Sequence, residues 1–268
     1  MALSTDQVQQ FREFGFLAVP EFFSDREVKA LQAEVERLHR EGIFRNVATE
    51  GDGKTESTSR QNLQIVPLHP HSDLVKALPF HPKVIEYVTG LIGDHVVVHL
   101  DQVFLKPART GLGTGWHQDN AYFRVKDPLK GTAMWIAVHD ANAANGTLRV
   151  LPNMIDKEIA HERDPYSDHH VRIYPEEKKA ISMELPAGGV AFFCYGTPHA
   201  TGDNTTNEDR AGLAFHFLHE DHVNDSPRIN PYGPILTGPR AAGGEEKYGI
   251  RFDGSWDDQV EKLLTTAG

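Results

Sequence analysis

The chain has 268 residues, 39% hydrophobic and 24% charged, with one cysteine, Cys194, and a formal net charge of −11 at pH 7. That composition can bury a sizeable core in one large domain or two small ones. The acidic balance excludes general binding to nucleic acid or an anionic membrane, which need a basic surface, and one cysteine excludes an intrachain disulfide or a cysteine-built zinc site and fits a reducing, cytoplasmic compartment.

The first residues, MALSTDQVQQ, lack the basic region and apolar run of a secretion signal, and no window approaches the ~18 apolar residues of a membrane span. Ser4 with Gln7 makes a capping box for a first helix carrying Val8 and Phe11 and ended by Gly15. Ser24 with Glu27 repeats the signal, and Val28, Leu31, Val35 and Leu38 follow at helical spacing until Gly42. NVATEGDGKTESTSR (46–60) is expected as a flexible loop, of a length often found in lids. HPHSD (69–73) stands among Pro and helix signals and reads as a helix start, not a metal site. A further helix follows Pro82 through Val84, Val88 and Leu91.

From residue 95 the texture changes. HVVVHLDQVFLKP (95–107), TAMWIAVHD (132–140), GTLRVLPN (146–153), KAISMEL (179–185), GVAFFCY (189–195) and AGLAFHFL (211–218) are short, β-rich and divided by turn residues. Helices first and strands later predict a mainly β fold with flanking helices. The Gly/Pro-rich stretch 224–249 is expected as irregular cover, and DDQVEKLL (257–264) as a last helix. Without an internal repeat or a clear linker, residues 1–268 read as a single domain. It comprises a helical N-terminal layer (1–94), a β core (95–220) and an irregular C-terminal cover (221–268).

Fifteen histidines make any single one uninformative, so position must select among them. GLGTG (111–115) lacks the Lys-Ser/Thr of a phosphate loop and reads as a turn; it leads into WHQDNAYF (116–123). If that stretch is a strand, His117 and Asp119 point to one face, as two metal ligands or as a hydrogen-bonded pair. A third ligand would come from a distant strand end, and His199 follows the apolar GVAFFCY, 80 residues beyond Asp119. Two imidazoles and one carboxylate with open positions suit Fe(II) in oxygenase chemistry. Arg210, 11 residues past His199, could grip a carboxylate in a bidentate fork, 2-oxoglutarate for example; the alternative is a surface ion pair with Glu208 or Asp209.

At these residues the chain resembles the phytanoyl-CoA dioxygenase family of Fe(II)/2-oxoglutarate-dependent oxygenases. The likeness runs from FREFGFLAVPEFFSDREVKALQAEVERL to about residue 220, through WHQD, MWIAVHDANAANGTLRVLPNM and TPHATGDN with Arg210. It implies a double-stranded β-helix (jelly-roll) core with iron held by His117, Asp119 and His199, and Arg210 on the distal carboxylate of 2-oxoglutarate. It also implies Trp135 and Gln102 as cosubstrate contacts, with core packing the alternative for Trp135. Oxidative decarboxylation with O2 would yield succinate and CO2 while a C–H bond of a small organic substrate is oxidised. Asp119 occupies the position that halogenases of the family leave small, so hydroxylation is favoured.

Asn120, Tyr122 and Phe123 leave the metal segment as candidate substrate-facing residues, whereas Arg124 and Lys126 read as a solvated face. His216 shares strand parity with Arg210 but reads first as a satisfied core histidine. Two competing functions stand behind the oxygenase. One is a cupin-type metal dioxygenase or isomerase without 2-oxoglutarate, which Arg210 opposes; the other is a lectin-like binding module, which leaves the His/Asp/His/Arg set unexplained.

Overall fold

A computed structural model describes residues 2–266. The helices are α1 (Thr5–Phe14), α2 (Asp25–Arg40), α3 (Asp73–Ala77), α4 (Pro82–Ile92), α5 (Asn120–Phe123), α6 (Glu245–Tyr248) and α7 (Trp256–Thr266). Both expected capping boxes form. Ser4 and Gln7 exchange bonds of 2.9 and 3.2 Å, and Ser24 and Glu27 bonds of 2.7 and 3.4 Å. Gly15 ends α1 at φ 85°, a left-handed conformation that a Cβ disfavours.

Among the described residues the strands are, in chain order, β1 (Phe16–Val19), β2 (Arg45–Asn46), β3 (Leu63–Ile65), β4 (Val96–Lys106), β5 (Thr114–His117), β6 (Gly131–Ala137), β7 (Leu148–Val150), β8 (Glu162–Arg163), β9 (Val171–Arg172), β10 (Ile181–Ser182), β11 (Val190–Cys194), β12 (His199–Thr201) and β13 (Arg210–His219). A large sheet has the order β1-β11-β6-β13-β4-β3-β2, a small one β10-β7-β12-β5, and β8 pairs with β9. All these pairings are antiparallel, and the two larger sheets are those of a jelly roll. The first 94 residues therefore contribute three strands to the large sheet as well as helices. β1 to β3 are too short for an alternating pattern to show in the sequence.

Alternation along the large sheet gives its faces different jobs. Met134 and Ile136 of β6, Phe192 of β11, and Leu213, Phe215 and Phe217 of β13 are at most 1% exposed and pack with Leu31, Val35, Val84 and Val88 of the helices. Each such side chain contributes roughly 1.5–3 kcal/mol by leaving water. The opposite face looks toward the small sheet. There Ala133, Trp135, Ala191, Phe193 and Ala214 meet Leu148 and Val150, and polar Gln102, Lys106, Arg210 and His216 stand beside them.

The polar stretch 46–60, expected as flexible, is tied down. Thr49 donates its backbone N–H to Tyr166 O at 3.1 Å and its hydroxyl to Pro165 O at 2.7 Å. Gly53 N–H reaches Pro165 O at 2.7 Å, and Arg45 pairs with Asp168. Two long loops thus brace each other over one end of the sheets. The C-terminal cover is fastened elsewhere: Trp256 of α7 is buried, and its Nε1–H donates to Glu27 Oε1 at 2.6 Å. His81 Nδ1 accepts from Lys83 N–H, so Nε2 carries the ring proton and donates to the same oxygen at 3.1 Å.

Burial alone would raise the Glu27 carboxyl, but bonds from His81, Ser24 and Trp256 outweigh it and bring its pKa from 4.5 down to about 2. That depression corresponds to roughly 2–3 kcal/mol of stability. The folded state has the lower pKa, so this contribution is whole above about 4.5 and fades as pH falls toward 2. Glu27→Gln should therefore lower stability by about 2 kcal/mol at pH 7 in urea unfolding. The gap from wild type should close between pH 4.5 and 2.5; a gap independent of pH would remove the carboxylate from the account.

Candidate active site

β5 ends at His117, and β12 begins at His199, its direct register partner. The two ring centroids are 4.2 Å apart. Asp119 lies beyond the strand, with φ −57° and ψ −33° as the residue that starts α5. His117 and Asp119 thus converge through a helical turn after a strand end, not through the pleat that an H-x-D strand would use. Asp119 Oδ1 is 3.9 Å from His117 Nε2 and 3.7 Å from His199 Nε2. One ligand atom from each residue lies within 4.8 Å of the others, and all three residues are buried.

The neighbouring chain fixes these positions. His117 Nδ1–H donates to Gly115 O at 2.8 Å and His199 Nδ1–H to Thr197 O at 3.0 Å. Each ring is thereby held as the tautomer whose Nε2 lone pair faces its neighbours, the form a metal ion takes. Gly113 lies so close to Thr201 O and Gly202 that a Cβ would collide, so the glycine-rich turn lets β5 press on β12. Between the ligands, Gln118 donates its side-chain N–H groups to Gly196 O at 2.6 Å and Lys157 O at 2.8 Å.

Electrostatics matches that ligand set. Burial and the neighbouring His199 lower His117 to about 3, and burial lowers His199 as well, so both rings are neutral at physiological pH. Burial would raise Asp119, but His199, His216 and His117 together hold its carboxyl below the usual range. His216 Nε2 is 3.2 Å from Asp119 Oδ2, within ion-pair distance though not aligned as a hydrogen bond. His216 is buried like a core residue, but its Nδ1 has no partner among the described residues and it lines the central cavity. It belongs to the site, which corrects the expectation of a satisfied core histidine.

The cavity's other end is cationic. Arg210 opens β13, directly opposite Lys106 at the end of β4. Both are 1% exposed, and the expected alternative of a surface pair with Glu208 or Asp209 does not occur. Arg210 donates only to carbonyls, Asn145 O at 3.3 Å and Gly146 O. Lys106 Nζ donates to Thr201 Oγ1 and Gly202 O, each at 2.6 Å. Burial brings Arg210 down to about 10, and burial with the Arg210 charge lowers Lys106 well below its ordinary value. Among the described residues neither has an acid within ion-pair distance, so the pair is a ready seat for an anion.

Trp135 and Gln102 line the same cavity. The Trp135 ring lies against Gly212, where a Cβ would come within 2.7 Å of Nε1, and Arg210 Cζ is 5.6 Å from the ring centre. Trp135 is at once core and cavity wall. Gln102 Oε1 accepts from Gln64 Nε2 at 2.9 Å. Of the candidate substrate-facing residues, Asn120 spends its side chain on Val125 N–H and O, and Phe123 packs on His99, Tyr195 and His216. Tyr122 bonds His170, a cavity residue that sequence reasoning missed, as it missed Lys106. Arg124 and Lys126 are exposed, as expected. Of the HPHSD segment, His69 to His71 form a single turn leading into α3, and His69 bonds Asp101 at 2.7 Å.

A sequence profile described as phytanoyl-CoA dioxygenase (PhyH) matches residues 11–212. The chain is 27% identical over 251 residues to ectoine dioxygenase of Bordetella parapertussis, covering 86% of this chain and 80% of that protein. It is 22% identical over 236 residues to peroxisomal phytanoyl-CoA dioxygenase of Homo sapiens, covering 82% and 69%. Among solved structures, EctD from S. alaskensis with 2-oxoglutarate and 5-hydroxyectoine superposes with a TM-score of 0.68 at 19% identity, covering 90% and 86%. The carbocyclase SnoK from nogalamycin biosynthesis gives 0.66 at 20% identity, covering 88% and 94%.

The geometry predicts one divalent-metal site. Ni(II) at about 100 times its Kd should stabilise the metal-free protein by about 2.7 kcal/mol, raising Tm by roughly 5–10 °C in calorimetry. Asp119→Ala and His199→Ala should lose that increment, whereas His69→Ala should keep it. A His199→Ala protein that still gains the increment would place the metal elsewhere.

Proposed function

Since the chain belongs to the phytanoyl-CoA dioxygenase family, we propose that His117, Asp119 and His199 hold one Fe(II) and that Arg210 and Lys106 hold the distal carboxylate of 2-oxoglutarate. The protein is a non-haem Fe(II)- and 2-oxoglutarate-dependent dioxygenase acting on a small organic molecule. The observation that carries the residue assignment is the buried Arg210–Lys106 pair. Two basic groups without an acid within ion-pair distance among the described residues sit at one end of the cavity whose other end holds a ready-made ligand triad. A short dicarboxylate with a keto group suits both ends.

The bound iron would supply O2 activation, with 2-oxoglutarate converted to succinate and CO2 and a substrate C–H bond oxidised. The chain's own residues prepare that chemistry. His117 and His199 present Nε2 lone pairs without having to lose a proton, because each Nδ1–H is bonded to a carbonyl. Asp119 is ionised throughout the physiological range, and His216 stands beside the oxygen that faces away from the imidazoles. Arg210 would receive a carboxylate in its fork while Lys106, held by Thr201 and Gly202, adds a second charge. Trp135, Leu148 and Phe193 line the cavity with apolar surface that keeps water off the reacting groups. Gln102 is placed to contact the cosubstrate from β4.

On this reading residues 1–268 form one dioxygenase domain, cytoplasmic, without a nucleic-acid or membrane partner, and hydroxylation is the favoured outcome. No helix among the described residues is long and apolar enough to cross a membrane, and Cys194 is free and buried. The cupin-type alternative leaves the cation pair without a task.

The test is anaerobic addition of Fe(II) and then 2-oxoglutarate, followed by the visible metal-to-ligand charge-transfer band. His199→Ala should abolish the band. Arg210→Ala and Lys106→Met should keep it but require roughly 100-fold and 10-fold more 2-oxoglutarate respectively, the scale of a lost buried ionic contact. A wild-type protein that binds iron yet gives no band would exclude 2-oxoglutarate as the ligand.

A further inference from the structure

We propose that His170 is a substrate-binding residue whose Nε2–H donates a hydrogen bond to a carbonyl or carboxylate oxygen of the organic substrate beside the metal triad. This assignment rests on the active-site reading above and adds the chemistry of the group that the substrate must present. His170 lies in the loop between β8 and β9, is 8% exposed, and lines the same cavity as His117, Asp119 and His199. Its ring centre is 5.6 Å from that of His117 on the small sheet and 6.1 Å from that of Phe104 on the large one. It therefore bridges the gap between the sheets beside Phe104, which lies on β4 between Gln102 and Lys106.

The proton on this ring can be located from its neighbours. The Tyr122 hydroxyl is 3.1 Å from His170 Nδ1 and already accepts the Val171 backbone N–H at 3.0 Å. Nδ1 is the one acceptor that the described residues offer to the phenol proton, so Tyr122 donates to Nδ1 and the ring proton resides on Nε2. A ring that accepts at Nδ1 is neutral. Nε2 has no partner among the described residues, which leaves a buried N–H donor without an acceptor. A protonated Nε2 cannot ligate a metal, and His170 lies outside the group of three whose ligand atoms converge.

The donor is also held rigidly. His170 O accepts from Asp164 N–H at 3.0 Å, His170 N–H reaches Ser167 Oγ at 3.2 Å, and Ser167 belongs to the segment braced by the 46–60 loop. A neutral N–H fixed in this way selects an oxygen acceptor. Beside Phe104, it suits a compact molecule with a carbonyl or carboxylate close to the oxidised carbon, and not a bare alkyl chain.

The test uses the protein loaded anaerobically with Co(II) and 2-oxoglutarate. Cyclopentanone, 2-pyrrolidinone and cyclopentane are titrated while the visible d–d bands are followed. Cyclopentanone and 2-pyrrolidinone should perturb the bands at millimolar concentrations and cyclopentane should not. His170→Ala should weaken the two carbonyl probes about tenfold while 2-oxoglutarate affinity stays within about twofold. His170→Gln, which retains a side-chain N–H, should recover most of that loss. Tyr122→Phe, which frees the tautomer, should lose a few-fold. Equal binding of the probes to wild type and His170→Ala, equal binding of cyclopentane, or no probe binding to a properly formed Co(II)–2-oxoglutarate complex would each overturn the assignment. Failure of wild type to form that complex would overturn the active-site reading itself, and the His170 assignment with it.

Discussion

The register between β5 and β12 is the constraint on which the site depends. It sets His117 directly opposite His199, and the backbone carbonyls of Gly115 and Thr197 then decide which nitrogen of each ring faces the other. Once those two lone pairs are fixed, a single turn beyond the strand suffices to bring Asp119 within reach. A slip of one residue in this pairing would send one imidazole to the outer face of the small sheet and dissolve the triad. The close approach at Gly113, the bonds made by Gln118 and the seat of the 111–115 turn are best understood as devices that hold this register.

The large sheet solves a different problem, which is how one layer can both stabilise the protein and carry charge. Its helix-facing side is apolar and dry, so folding is driven there. The side toward the small sheet is then free to hold Gln102, Lys106, Arg210 and His216. A β-irregularity where β13 passes His216 shifts the pairing with β4 by one residue. This explains why HVVVHLDQVFLKP does not alternate cleanly: Val96 and Val98 share a face with Val103 and Leu105 although their parity differs.

Much of this was legible beforehand, for physical reasons. Capping boxes at Ser4 and Ser24 and the heptad-like spacing after Ser24 are local signals that tertiary contacts reinforced. The apolar strands around 134, 192 and 215 are long enough to declare themselves, and the order of WHQD, the distal His199 and Arg210 pointed to the site. What escaped was non-local. Lys106 becomes a cavity cation only through pairing with Arg210, 104 residues later. His170 reaches the site from an irregular loop with no periodicity to mark it. Asp119 was expected on a strand because spacing alone cannot distinguish a pleat from a strand that ends two residues earlier. The 46–60 loop looked flexible because its composition is polar, while the bonds that hold it come from residues 163–168.

The acid-free pairing of Arg210 and Lys106 has a consequence for the life of the protein as well as for its chemistry. Without an anion, the folded chain holds the Arg210 charge beside a Lys106 whose protonated form burial and that charge disfavour, a burden the unfolded chain escapes in water. On the proposed assignment, occupancy by a dicarboxylate would remove the burden, and the fraction of molecules open to proteolysis would depend on how much of that small metabolite surrounds them. The abundance of the protein would then follow the supply of its own cosubstrate, with no dedicated sensor. Substitutions that relieve the repulsion would lengthen the lifetime of the empty chain at the expense of its activity.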